Sequence, residues 1–151
     1  MPVALAVGCL LAAGIFFGGW AGASAERGSG GATRATAVAA DCVEFLKGAP
    51  ALAISRETEV KQGGAITLSL CSNGTTGFRW GEPTVGRPAV LQTTGHEYSA
   101  PQGGLLGAAG KETWSFRALA EGHTTVTLEY SQPWPGGTKA TWTFVLTVVV
   151  K

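Results

Sequence analysis

The chain has 151 residues, of which 45% are hydrophobic and 14% charged, and a formal net charge of +1. That length suits one domain and an appendage, and so small a charge provides no electrostatic footprint for nucleic acid, which excludes nucleic-acid binding. With 23 glycines and 7 prolines among many threonines and valines, turns and strands are favoured over helices, and an all-β fold is expected.

Val3 to Ala23 is almost wholly apolar and uncharged, and it runs into Ala23-Ser24-Ala25, the small-x-small pattern of a secretory cleavage site. Residues 1–25 are therefore expected to be a signal peptide. No Lys or Arg precedes the run, and about 20 apolar residues also suffice to span a bilayer, so an uncleaved membrane anchor is the other reading. Lipid attachment at Cys9, behind Ala6-Val7-Gly8, would need more apolar sequence ahead of it. The protein is expected to be exported, whether secreted, periplasmic or tethered on the outer face, with any membrane attachment confined to this segment. Residues 26–40 are mostly Gly, Ala, Ser, Thr and Arg without hydrophobic period and read as a flexible linker. A single folded domain is expected over residues 41–151.

Within that domain Cys42 and Cys71 are an even pair, able to form a disulfide in an oxidising compartment or to pack as two unpaired, small apolar groups. Phe45-Leu46 is followed by Gly48 and Pro50, so any helix there is brief. Strand signals then recur at short intervals, at about Glu59–Lys61, Ala65–Ser72, Phe78–Glu82, Val90–Tyr98, Glu112–Leu119, His123–Ser131 and Thr138–Val150. Ile66, Leu68 and Leu70 share one face of the second, Trp114 and Phe116 one face of the fifth. Val126, Leu128 and Tyr130 line the sixth, and Trp142, Phe144, Leu146 and Val148 the last. These faces are the expected core of an immunoglobulin-like antiparallel β-sandwich of about seven strands.

Three connections stand out. Asn73-Gly74-Thr75-Thr76-Gly77-Phe78 is a polar loop with glycines on both sides of two threonines, expected to take positive φ at the glycines and to hold a stiff tip. Gly103 to Gly110 is a glycine-rich bend without the polar residues of a phosphate cradle. Gln132-Pro133-Trp134-Pro135-Gly136-Gly137 places a tryptophan between two prolines, either as a binding group or folded back as a lid on the sandwich. In a seven-stranded sandwich the first and last of these emerge at one end, and the middle one can reach it. Catalysis would have to use Cys71, His96, His123 and scattered carboxylates, whose spacing offers no nucleophile, base and orienting acid together. No close pair of His or Cys suggests a metal. The expectation is a protein that is not an enzyme and needs neither metal nor cofactor.

Asn73-Gly74-Thr75-Thr76-Gly77-Phe78-x-Trp80, then Gly107-x-x-Gly110 leading into Glu112-Thr113-Trp114-Ser115-Phe116, then Tyr130-x-x-Pro133-Trp134, resemble in order and spacing the three loop motifs of the chagasin family, inhibitors of papain-like cysteine proteases. The resemblance covers about residues 51–151. It departs at Gly74, where the family usually shows Pro, and at Gln132, where it usually shows Arg. The resemblance implies an immunoglobulin-like inhibitor that binds a papain-like cysteine protease reversibly and competitively, as a monomer, with three loops forming a wedge in the active-site cleft. Asn73, Gly74, Thr75, Thr76, Gly77 and Phe78 would form the central loop, its threonines at the catalytic cysteine. Gly107, Ala108, Ala109 and Gly110 would lie against the cleft wall, and Trp134 would pack on an aromatic surface beside it, with Gln132 and Pro133 also binding the protease. The competing expectation is an exported adhesion or carbohydrate-binding sandwich in which Trp134 stacks on a sugar. That role would need Trp134 but not Thr75 and Thr76.

Overall fold

The computed structural model describes residues 34–47, 53–101, 103 and 107–151. The apolar segment Val3–Ala23, most of the expected linker and residues 104–106 of the glycine bend lie outside the described residues. In chain order the elements are β1 (Thr36–Ala40), α1 (Cys42–Lys47), β2 (Ala53–Val60), β3 (Ala65–Ser72), β4 (Arg79–Trp80), β5 (Thr84–Val85), β6 (Leu91–Ser99), β7 (Gly110–Ala118), β8 (Gly122–Ser131) and β9 (Trp142–Val150). They form two sheets, ordered β1-β3-β7-β6 and β2-β9-β8-β4, with β5 also paired to β8.

The alternation read from the sequence is the one that buries. Ile66, Leu68 and Leu70 of β3 and Trp114 and Phe116 of β7 face Val126, Leu128 and Tyr130 of β8 and Phe144, Leu146 and Val148 of β9 across a single core. Each large side chain so placed contributes roughly 1.5–3 kcal/mol against the entropy of ordering the chain. The result is an immunoglobulin-like sandwich with strands as its main elements.

Several expectations change in detail. Thr36–Ala40, read as part of the linker, is a strand that pairs in parallel with β3, Ala40 opposite Leu70. Its only pattern is a run of small residues, which says little until the partner strand is known. β2 starts at Ala53 rather than Glu59 because it is an outer strand, held in parallel to β9, with Ser55, Arg56 and Glu57 in solvent. The sandwich therefore contains two parallel pairs among its antiparallel ladders. The expected strand Phe78–Glu82 shrinks to Arg79–Trp80, and Thr84–Val85 forms a separate short pairing with β8. The last strand begins at Trp142 instead of Thr138, since Gln132 N donates to Thr138 O at 2.8 Å and keeps that stretch in the preceding loop.

The registers bring one set of chain turns to one end. Ser72, at the end of β3, lies opposite Gly110, at the start of β7. On the other sheet Arg79 faces Ser131 and Tyr130 faces Trp142. The three loops singled out above leave from these positions. Because β1 runs parallel to β3, the β1–α1 corner arrives at the same end, where Cys42 is disulfide-bonded to Cys71 with a Cα–Cα distance of 5.2 Å. Of the two states open to these cysteines, the structure has the bonded one.

Candidate functional site

The central loop is organised by Asn73. Residues Gly74–Thr76 form one turn of 3-10 helix with Asn73 as its N-cap. The Asn73 side-chain oxygen accepts from Thr75 N at 3.3 Å and from the Thr75 hydroxyl at 2.6 Å. Its carbonyl accepts from Thr76 N at 3.2 Å and from the Thr76 hydroxyl at 2.7 Å. An Asn at this position satisfies donors that a helix start leaves free. Thr75 and Thr76 therefore sit exposed at the tip, yet their hydroxyls are tied back to the loop's own root. Only one of the two flanking glycines takes positive φ, Gly77 at 76°. Gly74 sits in the helical turn, where positive φ is not required, which corrects the expectation for that residue.

Asn73 also joins the central loop to its neighbours. Its side-chain amide donates to Gly107 O of the glycine bend at 3.1 Å, and its backbone N–H donates to the Tyr130 hydroxyl at 2.8 Å. On the other side the Cη2 edge of the Trp134 indole abuts Gly77. A Cβ at that position would come within 2.6 Å of Trp134 Cη2, so the contact needs a glycine there for space as well as for backbone conformation. The central loop thus touches both of its companions.

The companions are set as follows. Gly107 takes a φ of 81°, and Gly110 is buried where β7 begins; a side chain there would press on Ser99 O and the Tyr98 ring. Ala108 is half-buried and Ala109 exposed. In the third loop Trp134 is 46% exposed, so the indole neither enters the core nor stands free of the sandwich. Gln132 is half-buried and Pro133 exposed. The Gln132 side chain accepts from Thr138 N at 3.0 Å, and the Lys139 ammonium donates to Trp134 O at 3.0 Å and to Gln132 O, closing the loop around a cation. Phe78 is half-buried and stacked on Tyr130 with centroids 5.6 Å apart, which makes it a support under the tip.

Beneath the loops lies a polar cluster that sequence reasoning missed. Glu112 is 4% exposed; one of its oxygens accepts from the Ser72 hydroxyl at 2.6 Å and from Trp80 N at 3.3 Å. The other is 2.9 Å from His96 Nε2, and the imidazole stacks on Trp114 at 4.6 Å. Ser72 precedes the central loop and Trp80 follows it, so this carboxylate ties the loop's two roots together. A Glu at an inward position of a strand was the available signal, because a buried carboxylate needs partners. The same cluster lacks the order of a serine–histidine–acid relay: the serine hydroxyl donates to the carboxylate and not to the imidazole, and the carboxylate lies between them. Cys71, the other candidate, has no free thiol.

The chain is similar to known proteins over most of this domain. The family model described as "Chagasin family peptidase inhibitor I42" matches residues 59–148. Chagasin from Trypanosoma cruzi is 35% identical over 80 residues, which is 51% of this chain and 73% of that protein. Among solved structures, the cysteine protease inhibitor EhICP2 from Entamoeba histolytica aligns with a TM-score of 0.59 at 18% identity, over 78% of this chain and 98% of that one. PbICP-C, solved in complex with falcipain-2, aligns with a TM-score of 0.52 at 14% identity, over 66% of this chain and 89% of that one. At those identities the two structures speak for the fold alone.

Proposed function

Because the chain belongs to the chagasin family of peptidase inhibitors, we propose that it is a reversible, competitive inhibitor of papain-like cysteine proteases whose three loops enter the active-site cleft as one wedge. The observation that carries this reading is the pair of contacts made by the central loop, Asn73 Nδ2 to Gly107 O and Gly77 against the edge of the Trp134 ring, which hold the three loops as neighbours. A single plug needs that adjacency.

In this mechanism Thr75 and Thr76 reach the catalytic cysteine and occlude it. The tip is a short helical turn, so no extended strand runs through the cleft in the conformation a protease cleaves. Trp134 turns the Cη2 edge of its ring to Gly77 and keeps exposed ring surface for an apolar patch beside the cleft. The bend at Gly107–Gly110 packs on the opposite wall, where small residues permit close approach. Loops already held by their own hydrogen bonds lose little entropy on docking, and a desolvated interface tryptophan commonly contributes 2 kcal/mol or more. The reading extends to export, since the Cys42–Cys71 disulfide fits an oxidising compartment.

Titration of the purified chain against papain tests the proposal. Sub-micromolar competitive inhibition is expected, weakened by both Thr76→Ala and Trp134→Ala, the latter by about 30-fold for a loss near 2 kcal/mol. Folded protein that inhibits no papain-like enzyme would overturn it. Sugar binding that depends on Trp134 and ignores Thr75 and Thr76 would favour the adhesion role instead.

A further inference from the structure

We propose that α1 is a clamp that pre-organises the wedge, so that inhibition depends on the Cys42–Cys71 disulfide and on Phe45, residues outside the three loops. The inference rests on the inhibitor reading above and concerns how that same site is held. It starts from the helix itself. Asp41 and Glu44 form a reciprocal cap: Asp41 N donates to Glu44 Oε2 at 3.0 Å and Glu44 N to Asp41 Oδ1 at 2.9 Å. Glu44 also pairs with Arg56 of β2. Cys42 and Phe45 stand three residues apart and so share a face of the helix.

That face grips the bases of two loops. Cys42 is bonded to Cys71, just ahead of the central loop. Phe45, 1% exposed, packs with centroid distances of 5.3 Å on Trp80 and 5.0 Å on Trp142. Trp80 follows the central loop and Trp142 follows the Trp134 loop. The circuit closes internally, since Trp80 Nε1 donates to Cys71 O at 2.8 Å. One helix of 6 residues therefore holds both roots of the central loop and the outgoing root of the third. So short a helix does not persist by itself, which makes its covalent and aromatic anchors necessary to its own existence. The matched family region begins at residue 59, so α1, Cys42 and Phe45 lie outside it, while Cys71 lies inside. Here the clamp acts as a positioning device: without it the loops sample more conformations, and ordering them again opposes binding.

The test uses the full chain and two variants, the double change Cys42→Ser/Cys71→Ser and the single change Phe45→Leu, with Val148→Ala as control. Val148 is fully buried in β9, away from the loops. Inhibition constants are measured against papain from which the activating reductant has been removed, at a temperature where circular dichroism shows every variant folded. Amide exchange at Asn73, Thr75 and Thr76 is followed in parallel. The expected result is an inhibition constant raised about tenfold in the double and Phe45 variants, with faster loop exchange. The control should lose thermal stability and keep its inhibition within about twofold. Inhibition by both clamp variants within about twofold of the parent overturns the clamp, whatever the exchange rates do. A parent that inhibits no papain-like protease defeats the inhibitor reading, and the clamp then stands or falls on loop exchange alone, with unchanged exchange defeating it.

Discussion

At the scale of single residues, Asn73 has the most concentrated role, since it caps the threonine turn and bonds to both the glycine bend and Tyr130. Asn73→Ala should cost about 1–2 kcal/mol of stability from the cap and also loosen the tip, which a urea titration paired with papain inhibition would separate. Gly77 is constrained twice, by a φ of 76° and by the indole edge against it. Gly77→Ala should therefore displace Trp134, visible as a change in tryptophan fluorescence, and weaken inhibition at least as much as Thr76→Ala. Gly74 is the opposite case. It opens a helical turn, where proline is well tolerated, and a compatible proline stabilises by about 0.4–1 kcal/mol through the unfolded chain. Asn73, at φ −114° and ψ 85°, falls short of the ψ that proline prefers in its predecessor. Gly74→Pro should accordingly tighten inhibition by no more than a few-fold.

Among elements, β7 links core and site. Its Trp114 and Phe116 fill the sandwich, while Glu112 on the same face reaches the roots of the central loop through Ser72 and Trp80. Removing the carboxylate leaves a buried hydroxyl and a buried N–H without an acceptor, each costing about 1–3 kcal/mol. Glu112→Ala should thus destabilise by about 2–6 kcal/mol, read from the urea midpoint. Glu112→Gln, which keeps an acceptor of the same shape, should recover most of that. The third loop depends in a similar way on Lys139, whose ammonium bonds the carbonyls of Gln132 and Trp134. The family's usual Arg is replaced here by Gln132, whose side chain serves Thr138 N within the loop. The cation at this loop comes from seven residues later in the chain and acts on the backbone.

For the whole molecule, the disulfide joins an outer strand and helix to the middle of a sheet across a separation of 29 residues. On the loop-closure account, such a bond stabilises by about 3–4 kcal/mol, and unfolding in urea with and without reductant should differ by that amount. β1 adds hydrogen bonds along β3 from Thr36 to Ala40. A chain beginning at residue 34 should therefore be more stable than one beginning at Asp41, although both retain the region that matches the family.

The sequence by itself determined the strands with a covered face, because a period of two in Ile66, Leu68 and Leu70 or in Phe144, Leu146 and Val148 is a local property of the chain. It also marked the glycine and proline punctuation that makes the three loops. Where a strand has no covered face, as in the exposed stretch of β6 or the polar start of β2, its ends had to come from the neighbouring ladder. Tertiary structure alone decided that a run of small residues at 36–40 would pair with β3, that Cys42 would meet Cys71, that Glu112 would be shared between loop roots, and that Asn73 and Gly77 would bring the loops together. These are meetings of residues distant along the chain, and no local preference encodes a partner. Their geometry follows from register and from the burial of polar groups that must find one another once water is excluded.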